Sequence, residues 1–323
     1  MGHESAGVVT AIGADVEGFE IGDKVALEVG LPCEKCELCI SNRYNLCKGM
    51  RFRSSAKAFP HFQGTLQERI NHPARWCYKL PESISLDLGA ILEPLGVAIH
   101  ASRRSQMQAD ATVVVFGAGA VGLLCAYMAR QAGARMVVIA DIDRGWVDFA
   151  VKFGFAHKSF VVPMKRGQTT EEKLTIAKAT ASNIGRVESG SDGAIREADL
   201  IFECTGVESC VQAGIYATKP GGRLMLVGMG VPVQTLPISA AALREVDICG
   251  VFRYADTYAE GITLVSEKKA GIPSLETLVT HRFRGLEKAT EAFKMAGRTT
   301  DDDGKLVIKV VIEMDRGDEK AKL

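Results

Sequence analysis

One stretch, Thr112 to Asp141, constrains the fold of this chain more than any other. The β-branched run Thr112–Phe116 predicts a strand, and three glycines follow it at G-x-G-x-x-G spacing. An apolar run from Val121 to Gln131 predicts a helix, and Met136 to Ala140 predict a second strand. This order is the βαβ unit of a doubly wound parallel sheet, which places the chain in the α/β class.

The three glycines and the acidic residue that follows them indicate a dinucleotide site. Gly117 permits a tight turn, Gly119 leaves room for a pyrophosphate, and Gly122 allows the helix to pack closely on the strand. Asp141 lies nineteen residues after Gly122, where a carboxylate can bind both hydroxyls of the adenosine ribose. The same carboxylate repels a 2′-phosphate, so the pattern favours NAD over NADP.

Composition excludes several other classes of protein. The 323 residues suffice for two domains, and 39 Lys plus Arg balance 39 Asp plus Glu, so no net charge favours nucleic acid or anionic lipid. No apolar run reaches the ~18 residues of a membrane span, and the first residues do not resemble a signal peptide. We therefore expect a cytoplasmic protein with neither a nucleic-acid nor a membrane partner.

A cluster of cysteines indicates a metal site. Cys33, Cys36, Cys39 and Cys47 form C-x2-C-x2-C-x7-C in a turn-rich segment, a spacing typical of a closed structural zinc site. The other five cysteines are scattered among apolar neighbours, and we interpret them as buried thiols. They are Cys77, Cys125, Cys204, Cys210 and Cys249.

A weaker metal signal lies at His3 and Glu4, with a further carboxylate at Glu93. Taken alone, a His-Glu pair near a chain end is more often solvated than ligating.

Seven motifs together carry a family resemblance. They are Gly2–Gly7 (GHESAG), the four-cysteine segment, Leu92–Leu95 (LEPL), the Gly117–Gly122 fingerprint, Glu203–Gly206 (ECTG), Arg244–Asp247 (REVD) and Val251–Tyr254 (VFRY). They resemble the zinc-dependent medium-chain alcohol dehydrogenases and, within that family, the branch of sorbitol, xylitol and L-arabinitol dehydrogenases. The resemblance extends from residue 2 to about residue 312.

The resemblance implies a set of functional residues. A catalytic zinc would be bound near His3 and Glu4, with Glu93 in or beside its coordination shell. Arg253 and Tyr254 would reach the hydroxyls of a polyol substrate. The residues lining the NAD site would be Val121, Asp141, Val227, Gly228, Met229, Val251, Phe252 and Arg253. Trp146 departs from the family pattern, because many relatives have an arginine there.

The resemblance also implies a domain order and a homo-oligomer, either a dimer or a tetramer. Residues 1–105 and 255–323 would form a GroES-like, β-rich catalytic domain, and residues 106–254 a Rossmann NAD-binding domain. Within this plan we interpret Lys165 to Asp192 as a solvated loop because it is polar. Four histidines without motif support are expected to be structural or exposed: His61, His72, His100 and His281.

Members of the family begin some sixty or more residues earlier, so we expect a partial catalytic domain that lacks one cysteine ligand of the catalytic zinc. The expected reaction is polyol plus NAD giving ketose plus NADH. One alternative is a catalytically impaired NAD-binding fragment that acts only through subunit association. A zinc-free quinone or enoyl reductase is a third reading, disfavoured because such enzymes need neither the four cysteines nor His3 and Glu4.

Overall fold

The computed structural model describes residues 1–55, 59–190, 193–267 and 269–314. The chain divides into two compact units. The first comprises Met1–Pro94, Ala255–Lys268 and Ser274–Leu323, and the second comprises Leu95–Tyr254 and Lys269–Pro273. The predicted domain bounds, 1–105 with 255–323 and 106–254, stay a prediction.

The first unit begins with short strands and one short helix. Its elements are β1 (Ala6–Val8), β2 (Lys24–Leu27), β3 (Gly30–Leu31), α1 (Glu37–Ile40), β4 (Arg51–Phe52) and β5 (Cys77–Lys79). Strands β1, β2 and β5 form an antiparallel sheet in that order, and β3 pairs with β4. Val25, Leu27 and Val29 make a small apolar core beneath this sheet.

Helix α2 (Leu86–Ser105) follows, and the division between the units falls within it, after Pro94. Leu88, Ile91, Leu92 and Leu95 are buried, and so is every residue from 91 to 96, so the middle of α2 is buried around its whole circumference. Glu93 lies on this helix and is also buried, with 6% of its surface exposed.

The second unit is built on a six-stranded parallel sheet. Its elements are β6 (Thr112–Phe116), α3 (Ala120–Gln131), β7 (Met136–Asp141), α4 (Arg144–Lys152), β8 (Lys158–Val161), α5 (Thr170–Gly185), β9 (Ala198–Glu203), α6 (Glu208–Ala217), β10 (Thr218–Leu226), α7 (Ile238–Ala242) and β11 (Asp247–Gly250). The strand order is β11-β10-β9-β6-β7-β8, with every neighbouring pair parallel. This arrangement confirms the predicted doubly wound α/β fold.

The interpretation of Lys165 to Asp192 as a loop was wrong, because α5 occupies most of this range. Thr169 caps the helix by a reciprocal pair of hydrogen bonds with Glu172, each 3.2 Å long. Ala177, Ala181 and Ile184 then pack into the core of the sheet. The sequence analysis missed this helix because most of the apolar side chains on its buried face are alanines. The Thr169-x-x-Glu172 capping box that begins the helix was nevertheless visible in the sequence.

The chain then returns to the first unit, where it forms α8 (Tyr258–Ser266), β12 (Val279–Arg284), α9 (Ala289–Ala296) and β13 (Lys309–Glu313). Strands β12 and β13 pair in parallel. Tyr258 ties α8 to the first sheet, since its buried hydroxyl donates to the Leu27 carbonyl at 2.8 Å.

Candidate active site

The four predicted zinc ligands converge on one point of the first unit. Each of Cys33, Cys36, Cys39 and Cys47 offers a sulfur within 4.8 Å of the other three. The Sγ–Sγ distances are 3.4 Å from Cys36 to Cys39, 3.8 Å from Cys36 to Cys47 and 3.9 Å from Cys33 to Cys39. Four thiolates at ~2.3 Å from a tetrahedral zinc lie about 3.8 Å apart, so this donor set fits the metal.

All nine cysteines are free thiols. Of the five scattered cysteines, Cys125 is buried and the other four are partly buried. In the zinc-ligand cluster, backbone N–H groups of Lys35 and Cys36 lower the pKa of Cys33 to about 6, whereas burial raises the pKa of Cys39 to about 12.

The cysteine segment is fixed by a buried carboxylate that the sequence did not reveal. Tyr44 begins the 3-10 helix Tyr44–Leu46 that leads into Cys47, and its hydroxyl donates to Glu28 Oε1 at 2.7 Å. The Tyr78 hydroxyl donates to Glu28 Oε2 at 2.8 Å, and the Asp256 N–H donates to the Tyr44 hydroxyl at 2.6 Å. Burial raises the pKa of Glu28 to about 7 despite the two hydroxyl donors.

A second group of ligand atoms forms in the same unit. His3, Glu4 and Glu93 each offer an atom within 4.8 Å of the other two, although His3 and Glu4 lie 89 or more residues before Glu93. His3 and Glu4 precede β1, whereas Glu93 lies in the buried middle of α2. An imidazole and two carboxylates are ligands that zinc accepts, so these residues fit a zinc ion as donors.

Lys309 is part of this site, and the sequence analysis did not include it. Its ammonium nitrogen lies 2.5 Å from Glu4 Oε2, with both side chains largely buried. The Lys309 ammonium group compensates the negative charge of Glu4 and fixes the direction of the Glu4 carboxylate. No motif marks Lys309, because its partner is 305 residues away in sequence.

In the second unit, the glycine-rich turn joins β6 to α3. Gly117 adopts a φ of 95°, and a Cβ on Gly122 would lie 1.8 Å from the Gly117 carbonyl oxygen, so both positions require glycine. Asp141 lies beside the turn and accepts hydrogen bonds from the Ala118 N–H at 2.7 Å and the Asp143 N–H at 3.0 Å. Gly119 precedes the first turn of α3, whose N–H groups can bind an anion.

The remaining predicted cofactor residues follow neighbouring strands of the same sheet. Val227, Gly228 and Met229 follow β10, and Val251 to Tyr254 follow β11. The carboxyl ends of parallel strands lie at one edge of a sheet, which is also where the glycine turn leaves β6 and where Asp141 ends β7. Met229 is 93% exposed there, whereas Tyr254 is 3% exposed.

A loop after β9 also belongs to this edge. The buried Glu203 carboxylate accepts hydrogen bonds from the Thr205 N–H at 2.8 Å and the Gly206 N–H at 2.9 Å. A Cβ on Gly228 would lie 2.2 Å from the Gly206 nitrogen, so the two loops are in close backbone contact. Thr205 and Gly206 were missed as site residues, although the ECTG motif that contains them was visible.

Comparison with known proteins agrees with both units. Residues 1–82 match the family model of the alcohol dehydrogenase GroES-like domain, and residues 120–267 match that of zinc-binding dehydrogenases. A sorbitol dehydrogenase of Gallus gallus is 39% identical over 298 residues, which cover 92% of this chain and 77% of that protein. A probable D-xylulose reductase A of Emericella nidulans is 40% identical over 295 residues, covering 91% of this chain and 76% of that protein.

The chain belongs to the zinc-binding dehydrogenase family. A solved oxidoreductase of unknown specificity from Escherichia coli has the same fold, with a TM-score of 0.80 at 26% identity over 97% of this chain and 81% of that one. The predicted GroES-like and Rossmann classes are therefore confirmed, and the protein is an oxidoreductase.

In this zinc-binding dehydrogenase, the helices within the described ranges, 1–55, 59–190, 193–267 and 269–314, are all too short or too polar to cross a lipid bilayer.

Proposed function

We propose that this zinc-binding dehydrogenase oxidises a polyol, such as sorbitol, xylitol or L-arabinitol, to the corresponding ketose and reduces NAD. The convergence of His3, Glu4 and Glu93 carries the proposal, because it joins metal-binding side chains that are distant in sequence. The names of the related sorbitol dehydrogenase and D-xylulose reductase support a polyol as the substrate class.

The residues of the first unit bind and orient the reacting alcohol. His3 and Glu4 would hold the catalytic zinc, with Glu93 as a further ligand or as a hydrogen-bond acceptor beside it. A zinc ion in this position supplies Lewis acidity, which lowers the pKa of the substrate hydroxyl towards neutrality. Lys309 keeps Glu4 in place through their ion pair, so that the carboxylate does not rotate away from the site.

The residues of the second unit bind the hydride acceptor. The N–H groups at the start of α3 would bind the pyrophosphate of NAD. The Asp141 carboxylate would accept hydrogen bonds from the two hydroxyls of the adenosine ribose. Val227 to Met229 and Val251 to Arg253 line the rest of the cofactor site at the carboxyl edge of the sheet. Arg253 and Tyr254 would orient the polyol hydroxyls.

The four-cysteine site would hold a second zinc with a structural role. Its four sulfurs leave no coordination position for substrate, so the metal there stabilises the segment that contains it.

The test is NADH formation from sorbitol, xylitol and L-arabinitol by the purified protein supplied with zinc, followed by absorbance. The resemblance leaves the catalytic zinc one cysteine ligand short, so we expect slow turnover with at least one of these polyols. For His3→Ala we expect a further loss of about tenfold or more in kcat/KM, because another zinc ligand is removed. His61→Ala is the matched control, since His61 is an exposed histidine outside the site, and it should retain the wild-type rate. Equal rates for the two variants, or no turnover of any polyol by the wild type, would contradict the proposal.

A further inference from the structure

Strand β12 has a β-bulge beside Lys309. Val279 pairs with Lys309 and His281 pairs with Val310, so between these two pairs β12 has one residue more than β13, namely Thr280. A bulge changes the direction of neighbouring side chains, and bulges are common next to active sites. The side chain at this bulge is that of Lys309, which forms the ion pair with Glu4.

The Thr280 hydroxyl ties the bulge to the backbone around Lys309. It accepts the Ile308 N–H at 3.0 Å and donates to the Lys309 carbonyl oxygen at 3.3 Å. The Cα atom of Lys309 lies between these two backbone groups along the chain. One hydroxyl therefore fixes the backbone from which the Lys309 side chain extends.

A histidine and an aspartate hold the Thr280 hydroxyl in turn. His281 Nδ1 lies 2.9 Å from Thr280 Oγ1, and His281 Nε2 lies 3.0 Å from Asp301 Oδ2. The side chains of His281 and Asp301 are only 11% and 14% exposed, so water competes little for these contacts. Asp301 Oδ1 also accepts the N–H groups of Asp303 at 3.0 Å and Lys305 at 2.7 Å, which fixes the loop before β13.

Strand β12 also contacts the helix that carries Glu93. The Arg282 guanidinium donates two hydrogen bonds, of 2.8 and 2.6 Å, to Asp87 Oδ2 in the first turn of α2. Glu93 lies six residues further along this helix. The strand that contains the bulge is thus linked to Glu93 through α2 and to Glu4 through Lys309.

Building on the proposed function, we propose that Thr280 is a positioning residue for the catalytic zinc site. Its hydroxyl sets the backbone of Lys309, so that the ammonium group meets Glu4 Oε2 and the carboxylate keeps its direction towards the metal. His281 and Asp301 contribute by holding the Thr280 hydroxyl.

Zinc binding to the full-length protein, measured by equilibrium dialysis against buffered zinc, tests this role without recourse to activity. The four-cysteine site should bind the first equivalent, and the weaker second equivalent reports on the site of Glu4. Lys309→Met should weaken the second equivalent about tenfold, because Glu4 loses its partner. Thr280→Val removes the hydroxyl at nearly constant volume and should weaken it about fivefold, whereas Thr280→Ser keeps the hydroxyl and should stay within about twofold of the wild type.

A double-mutant cycle separates positioning from a general loosening of the fold. In a Lys309→Met protein, Thr280→Val should leave the Kd of the second zinc unchanged within about twofold, because the side chain that Thr280 positions is already absent. A general loosening would weaken the second zinc by the same factor in both backgrounds. Thr277→Val is the matched control: its hydroxyl donates to the Ser274 carbonyl oxygen at 2.7 Å, outside the bulge, and its zinc affinity should equal that of the wild type.

Asp301→Asn keeps the test decisive if urea denaturation shows that Thr280→Val does not fold. It preserves the size of the side chain and removes the charge beside His281, so we expect about a threefold loss in the wild-type background and none in Lys309→Met.

The outcomes separate this inference from the proposed function. Unchanged or tighter zinc binding by the Thr280→Val protein, or equal losses in both backgrounds, would overturn the inference and leave the proposed function standing. A wild type that binds only one zinc would overturn both. The predicted coupling in a protein that turns over no polyol would support the positioning role and contradict the proposed function.

Discussion

Glu28 is a single residue whose burial links stability to pH. Glu28 is 1% exposed, and burial raises the pKa of its carboxyl from 4.5 to about 7. Between these two values the folded protein binds more protons than the unfolded chain, so the Glu28 contribution to stability falls as pH rises from about 4.5 to about 7. His72, whose ring contacts the Glu28 carbonyl oxygen, has a pKa lowered to about 4 by burial, and its contribution has the opposite sign.

Glu28→Gln isolates the Glu28 contribution, because His72 is common to both proteins. Relative to the variant, the wild type should lose about 3 kcal/mol of unfolding free energy between pH 4.5 and pH 7, since each pKa unit corresponds to ~1.4 kcal/mol. Urea denaturation of both proteins at several pH values gives this difference. A difference that does not change with pH would contradict the raised pKa of Glu28.

For single residues, the sequence reveals those whose role depends on residues close to them along the chain. Asp141 and Gly122 were predicted from spacing alone, because the βαβ unit that fixes their position is local. Glu28 and Lys309 were not, since Glu28 is joined to Tyr78 and Lys309 to Glu4 by pairings across the first unit. His3, Glu4 and Glu93 were found through family motifs, and the structure adds their convergence.

At the scale of elements, periodicity is informative when the buried face is strongly apolar. Strand β6 is buried at all five positions and was predicted with its correct bounds. Helix α5 was missed because its buried face is small and its exposed face is polar, although its capping box was local and readable. The cysteine segment has few regular elements, so its structure depends on Tyr44, Glu28 and the expected metal.

The zinc content of cysteine variants tests the cysteine segment as a structural element. Cys36→Ser should lower the bound zinc by about one equivalent per chain, because a hydroxyl is a much weaker zinc ligand than a thiolate. Cys77→Ser is the matched control, since Cys77 lies outside the cluster and donates a hydrogen bond to the Pro73 carbonyl oxygen. Elemental analysis after purification without chelator measures both. Equal zinc in wild type and Cys36→Ser would show that the four sulfurs do not hold the metal.

At the scale of the whole molecule, we propose that two copies associate through the β11 edge of the six-stranded sheet. Strand β11 ends the strand order, and an edge strand can pair with another chain. The segment that connects β10 to β11 also carries strongly exposed apolar side chains, a feature typical of a protein interface. They are Val231, Val233 and Leu243.

Val233→Asp should weaken this association by about tenfold or more, because a charge would be buried at the interface. Ile21→Asp is the matched control: Ile21 is 71% exposed in the first unit, compared with 85% for Val233. Sedimentation velocity should give a dimer or tetramer for the wild type and Ile21→Asp, and a smaller species for Val233→Asp. A monomeric wild type, or a Val233→Asp protein of unchanged mass, would contradict the proposed interface.

The central claim is that this protein transfers a hydride from a polyol to NAD. Incubation with zinc, NAD and sorbitol carrying deuterium on C2, followed by mass spectrometry of the cofactor and the sugar, tests it most directly. The account predicts that the deuterium appears in the reduced nicotinamide ring and that a ketose forms in equal amount. Xylitol and L-arabinitol, each labelled on the carbon that would become the ketose carbonyl, are tested in the same way. Recovery of unlabelled cofactor and unchanged polyol with all three, from protein that binds NAD and zinc, would contradict the claim.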